Sequence, residues 1–153
     1  MLFRSVHHGG TFNANPVTIA AGLETMRQMT PQAFERLNGL GEYVRDGLRR
    51  LFRDARMPAQ VCGAGSMFLA HLIGNDDGEE LVDFRSLRGF ARTNPIYGDL
   101  CHKMLELGFI LSPRGIFGCL STPMGEAELD GLVEALGRAF SELNSSQIPA
   151  YQA

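Results

Sequence analysis

Apolar residues recur at steps of three and four along the middle of the N-terminal half: Phe34, Leu37, Leu40, Val44, Leu48, Leu51 and Phe52. A stripe of that period over that length predicts a long amphipathic helix. Thr30-Pro31 in front of it supplies a capping hydroxyl and a proline suited to the first helical position. Pro58 ends it. The same punctuation, Asn15-Pro16, opens an earlier apolar, alanine-rich run that predicts a helix from Pro16 to about Met29. Arg45, Arg49, Arg50 and Arg53 fall off the long stripe and read as a solvated face.

Beyond Pro58 the pattern changes. Val61-Cys62 and the run Met67 to Ile73 read as two strands joined across Gly63-Ala64-Gly65-Ser66, which suggests a glycine bulge. These glycines enter a strand and not a helix, so a dinucleotide-binding turn is a poor reading. Asn75 to Glu80 is a polar turn and Leu81 to Arg92 a weak helical segment. A helix is predicted from about Ile96 to Leu107, with Gly108 fitting its C-terminal glycine. Phe109 to Ser112 and Ile116 to Ser121 read as a hairpin-like strand pair around Pro113-Arg114-Gly115. The clearest helix is the last, about Glu126 to Asn144, with Leu129, Leu132, Val133, Leu136, Phe140 and Leu143 on one face and Glu126 and Glu128 in its first turn. Ser145 to Ala153 shows no period and reads as a flexible tail.

Few strands, paired locally and interleaved with helices, predict an α+β fold with a short, mostly antiparallel sheet packed with helices and preceded by two helices. Residues 1–57 form the N-terminal turn and two connecting helices, 58–144 the small α+β domain, and 145–153 the tail. The apolar faces of the first two helices are expected to need a covering partner.

Composition narrows the function. The chain has 153 residues and a formal net charge of −3, which argues against nucleic acid or an anionic membrane as an electrostatic partner. No apolar run approaches the ~20 residues that span a bilayer, and Met1 to Val6 lack a signal-peptide core, so a cytoplasmic location is expected. Three cysteines, Cys62, Cys101 and Cys119, are odd in number and far apart, and read as buried free thiols. The four histidines show no metal-ligand spacing, and His71 and His102 read as structural or solvated.

Chemistry is suggested at two turns. His8-Gly9-Gly10-Thr11 places small residues and a hydroxyl just before a capped helix, a combination suited to an anion such as phosphate and equally to plain turn chemistry. Arg114, between Pro113 and Gly115, reads by itself as a solvated turn residue, and its place between two apolar strands singles it out.

The wording of the first turn is more specific than its physics. Gly10-Thr11-Phe12-Asn13-Ala14-Asn15-Pro16, followed by Ala20-Ala21-Gly22-Leu23, resembles the class III aminotransferases that use pyridoxal 5'-phosphate, in the branch of glutamate-1-semialdehyde aminomutase and the β-amino-acid transaminases. The resemblance runs from about His8 to about Leu143 and covers only the C-terminal part of such an enzyme. It implies the small C-terminal domain of a fold-type-I aminotransferase. It implies a homodimer in which Gly10 and Thr11 reach across to hold the cofactor phosphate of the neighbouring subunit. It also implies amino acid and keto acid substrates, with Arg114 binding the substrate carboxylate.

Two departures matter. Such enzymes need a lysine amine for the covalent link to the cofactor. The one lysine among the chain's 14 basic residues, Lys103, lies off the stripe of its helix, toward solvent. No catalytic lysine is therefore assigned, and the chain is expected to be a fragment whose lysine lies elsewhere. Ile116-Phe117-Gly118 also lacks the glutamate that the aminomutases carry there, which favours a β-amino-acid transaminase. The alternatives are an aminomutase fragment and a non-catalytic α+β association module.

Overall fold

The structure, a computed structural model, describes residues 10, 12, 15–72, 96–113 and 115–143. The chain divides into two compact units, Met1–Arg36 and Leu37–Ala153. The expected segment 81–92 and the tail 145–153 lie outside the described residues.

In the first unit, helix α1 spans Pro16–Gln28. Asn15 caps it: Asn15 Oδ1 accepts from the Val17 N–H at 2.9 Å and from the Thr18 N–H at 3.4 Å. These are the donors a first turn leaves without intrahelical partners. No residue of α1 is buried. Thr30 Oγ1 accepts from the Ala33 N–H at 3.2 Å and so caps helix α2, Pro31–Asp54.

The second unit holds the core. From Leu37 onward, the apolar stripe of α2 is buried at Leu37, Leu40, Val44, Leu48 and Phe52. The expectation that this stripe lacks a partner is therefore corrected for α2 beyond Arg36, because this unit covers it. Strands β1 (Ala59–Cys62), β2 (Met67–Leu72) and β3 (Ile116–Cys119) form one antiparallel sheet in the order β1-β2-β3. By the strand alternation, Phe68, Ala70, Leu72 and Ile116 share the face that is fully buried. Gly118 lies opposite Phe68 in the register, and a Cβ there would stand 2.7 Å from the Phe68 ring. The missing side chain makes room for the aromatic.

Two sequence expectations change here. Residues 63–66 form a tight connection and not a bulge: Gly63 and Gly65 take φ of 147° and 56°, and the Met67 N–H donates to Ala64 O at 3.0 Å. The segment 109–112 does not form a strand paired with 116–121. Only Ser112 makes an isolated bridge, to Gly115, while β3 pairs with β2. Its start serves as a helix stop: the Phe109 N–H donates to Met104 O at 2.8 Å, beside Gly108 at φ 88°.

Helix α3 (Ile96–Glu106) buries Ile96, Tyr97, Leu100 and Met104, and helix α4 (Glu126–Glu142) buries Leu129, Leu132, Ala135, Leu136, Ala139 and Phe140. The Phe52 and Phe140 rings meet edge to face at 5.9 Å. Glycines bring α2 and α4 close: a Cβ at Gly47 would lie 3.1 Å from Val133, and one at Gly137 would lie 3.2 Å from Leu51.

Gly41 makes the closest approach, because a Cβ there would stand 1.9 Å from the carbonyl oxygen of Gly65. Gly41→Ala should therefore destabilise the protein by ~1–3 kcal/mol, since backbone must yield. Nothing lies within 4 Å of a Cβ at Gly39, two residues earlier on the same helix. Gly39→Ala should instead stabilise by ~0.5–1 kcal/mol through helix propensity. Urea unfolding of both variants checks the contrast, and equal effects would refute the close approach.

Candidate functional site

At the first turn, Gly10 is exposed with φ 149°, a conformation that favours glycine. Thr11 lies outside the described residues. Asn15 already occupies the Val17 and Thr18 N–H groups of α1. These two amides of the first turn are therefore already taken by the cap. Phe12 O accepts from the Asn15 N–H at 3.2 Å, which closes the chain onto the helix entry.

At the second turn, the Gly115 N–H donates to Ser112 O at 3.3 Å. Gly115 is buried and takes φ 150°, in the region that favours glycine. Arg114 itself lies outside the described residues. The turn is anchored from both sides. On one, Cys101 Sγ of α3 lies 3.6 Å from Leu111 O. Burial pushes this thiol above its ordinary range. On the other, β3 leaves Gly115 directly and pairs with β2, Ile116 opposite Ala70. Tyr97 of α3 ties down the far end of β2, where its hydroxyl accepts from the Leu72 N–H at 3.0 Å in a buried contact. Burial raises the Tyr97 phenol, and the Leu72 hydrogen bond opposes that rise.

Continuing the β2–β3 register by one residue sets His71 across from Gly115. His71 is 7% exposed, and its Nε2 has no hydrogen-bond partner among the described residues. Burial alone pushes its pKa below the ordinary imidazole value. Its place in an apolar run hid it from sequence reasoning. The signal that it neighbours the turn is the register, which exists only in the folded chain.

Lys103 is half-buried and not simply turned to solvent. Its Nζ lies 2.6 Å from Glu142 of α4 and 3.1 Å from Glu106 of α3. The hydrogen bond to Glu142, and then that to Glu106, raise its pKa. An amine that acts as a nucleophile needs the opposite shift. The geometry makes Lys103 a salt bridge between two helices.

Arg45, read from the sequence as solvated, is 2% exposed. Its Nη1 donates to Gly65 O at 2.9 Å and to Met67 O, and its Nη2 lies 2.9 Å from Glu42 Oε1. The cysteines are also less buried than expected: Cys62 and Cys101 are half-buried and Cys119 is exposed.

A groove of about 670 Å³ runs between α2 and α4, where the Tyr43 hydroxyl donates to Asp130 Oδ1 at 2.7 Å. That bond raises the Tyr43 phenol. Among the described residues no His, Cys, Asp and Glu groups cluster as a metal site, and no helix is long and apolar enough to cross a membrane.

Comparison with known proteins places this architecture. The sequence profile of the family "Aminotransferase class-III" matches residues 1–138. The chain is 33% identical over 138 residues to glutamate-1-semialdehyde 2,1-aminomutase of Anaeromyxobacter sp. (strain Fw109-5), covering 90% of this chain and 31% of that protein. Among solved structures it resembles an omega-transaminase from Sphaerobacter thermophilus with a TM-score of 0.75 and 41% identity, over 90% of this chain and 30% of that one. It also resembles a β-phenylalanine aminotransferase from Variovorax paradoxus, with a TM-score of 0.73 and 30% identity, over 96% of this chain and 33% of that one. The chain thus spans about a third of the length of the curated relatives it matches. Its helices and antiparallel sheet are those of a fold-type-I aminotransferase, and the chain belongs to the class III aminotransferase family.

Proposed function

We propose that this chain is the C-terminal part of a pyridoxal-phosphate-dependent transaminase that acts on an amino acid, in particular a β-amino acid. Residues 1–57 are the turn and helices that join it to the cofactor-bearing region, 58–144 the small domain, and 145–153 a tail. The Schiff-base lysine belongs to the remainder of the enzyme, which we place in the cytoplasm as a homodimer.

The observation that carries the reading is the second turn, Pro113-Arg114-Gly115, followed by Ile116-Phe117-Gly118 with no carboxylate. A guanidinium is a planar fork matched to a carboxylate. The absence of an acid from the residues that directly follow it in the sequence supports a role in binding the carboxylate of a substrate. The 30% identity to a protein titled β-phenylalanine aminotransferase supports the same substrate class. A second reading, a glutamate-1-semialdehyde aminomutase, is favoured by the 33% identity to a protein of that name.

The conformation of Gly10 supports a contact to the cofactor's phosphate end. Gly10 is exposed and has no side chain to block close approach. Gly10 would offer its N–H, and Thr11 its N–H and hydroxyl, to a phosphate held by the neighbouring subunit. Bound, the cofactor supplies the electron sink through which an amino group passes between amino acid and keto acid. Arg114 would orient the substrate by its carboxylate, so that the reacting carbon is presented in one register.

Thr11→Ala in the complete enzyme should weaken cofactor retention by roughly 10- to 150-fold, as expected for losing a hydrogen bond to a charged phosphate. In mixed dimers carrying one altered subunit, the loss should appear in the neighbouring site. Cofactor dissociation followed by absorbance checks both. Unchanged retention would leave Thr11 as a turn residue only.

A further inference from the structure

We propose that His71 is a specificity-determining residue of the substrate site: its imidazole Nε2 gives a neutral hydrogen bond to the acid substrate beside the Ser112–Gly115 turn. The inference rests on the reading of Arg114 as the carboxylate-binding arginine and names a second group at that site.

Three observations carry it. First, His71 is 93% buried by the same measure that leaves it 7% exposed, yet its Nε2 meets no partner among the described residues. A satisfied core histidine would show a carbonyl, carboxylate or hydroxyl there. A buried polar atom without one is costly, and its retention calls for a partner that arrives with a ligand.

Second, the antiparallel register ends at the pair Ala70 and Ile116, and its continuation by one step sets His71 opposite Gly115. That glycine closes the turn through its N–H to Ser112 O. His71 therefore stands at the root of the turn that carries Arg114.

Third, no side chain crowds the position across from His71. Gly115 is buried, but among the described residues nothing lies within 4 Å of where its Cβ would stand. The opposite situation holds three residues on, at Gly118 on the other face of the sheet, where the Phe68 ring lies 2.7 Å from a Cβ position. The open Cβ position of Gly115 and the residue that bears the unpartnered nitrogen are neighbours across the sheet.

The chemistry suits the role. Burial holds the His71 imidazole in its neutral form at ordinary pH. A neutral N–H adds direction to a carboxylate without a second charge competing with the arginine. On the same sheet face, Met67 and Phe117 remain 51% and 49% exposed, so the burial of His71 is local to the turn end of the sheet.

The test is binding of an unreactive acid, 3-phenylpropanoate, and its uncharged counterpart, 3-phenylpropanol, to the cofactor-loaded enzyme, measured by calorimetry. His71→Leu should weaken the acid by roughly 3- to 10-fold, the worth of one neutral hydrogen bond, and spare the alcohol. His71→Gln, which restores a donor, should recover most of the loss. Arg114→Ala should weaken the acid further still. Selective loss in Arg114→Ala with none in His71→Leu would overturn the inference and leave the arginine reading standing. No loss in either would overturn both. Equal loss on acid and alcohol in His71→Leu would mark a structural residue and also overturn the inference. The unsubstituted enzyme gives an independent reading if His71→Leu does not fold. The nitrogen-15 resonance of His71 Nε2 should shift on adding the acid and not the alcohol, and an unmoved resonance would overturn the assignment.

Discussion

Replacing Arg45 with alanine should cost the protein ~2–5 kcal/mol of stability, more than removing any other charge on α2. Arg45 is 2% exposed and its guanidinium donates to two backbone carbonyls, Gly65 O and Met67 O, where the connection from β1 enters β2. Gly41, one turn earlier on α2, meets the same Gly65 carbonyl. Helix, turn and sheet are thus joined at one point, and β3 is tied to it through the Leu120 N–H, which donates to Ser66 O at 3.0 Å. The ion pair with Glu42 contributes little, because the Glu42 side chain is 67% exposed. Glu42→Ala should accordingly cost only ~0–1 kcal/mol. Arg45→Met keeps most of the buried stem and removes the donors, so its loss of ~1–3 kcal/mol measures the carbonyls left unpaired. Urea unfolding of the three variants checks the order Ala, then Met, then Glu42→Ala. A Glu42→Ala loss equal to that of Arg45→Ala would show that the surface pair, and not the carbonyl clamp, holds the turn.

Arg45 also marks where the sequence stops being legible. The stripe through Leu37, Leu48 and Phe52 predicts its own helix, because burial repeats with the helical period and each residue reports on the same face. The same holds for Leu129 to Phe140 on α4. Arg45 follows the helix pattern as a polar position next to Val44. Its burial depends on carbonyls 20 and 22 residues away, which no local period encodes. Lys103 fails to read for the same reason, since Glu142 reaches it from another helix. Residues 109–112 were legible as apolar but not as a stop. Apolar runs that short fit a strand or a helix-end contact equally, and the bond from the Phe109 N–H to Met104 O decides it. At the candidate site, the turn residues were legible by kind, through glycine, proline and arginine. The neighbour of the turn was not: His71 joins Gly115 only through strand register.

Arg114→Ala in the complete enzyme should lower kcat/KM for a β-amino acid by roughly 30- to 5,000-fold, the ~2–5 kcal/mol expected when a desolvated carboxylate loses its partner. A solvated surface arginine would give ~0–1 kcal/mol, so the two roles do not overlap. Arg114→Lys should not be conservative. Lysine keeps the charge but loses the planar fork, and its more strongly hydrated ammonium is costlier to desolvate. The loss should fall on acid substrates and spare a matched amine that carries no carboxylate. Cofactor retention should be unchanged, because the proposed phosphate contacts are Gly10 and Thr11 and not this turn. That separation distinguishes a substrate residue from one that merely supports the fold, which would affect both substrates and the cofactor together. Steady-state kinetics on the acid and the amine, with cofactor content measured on the same samples, provides the test. Equal losses on both substrates, or no loss on either, would remove Arg114 from the substrate site. The absence of a carboxylate in Ile116-Phe117-Gly118 would then no longer argue for a transaminase, and the aminomutase reading would stand first.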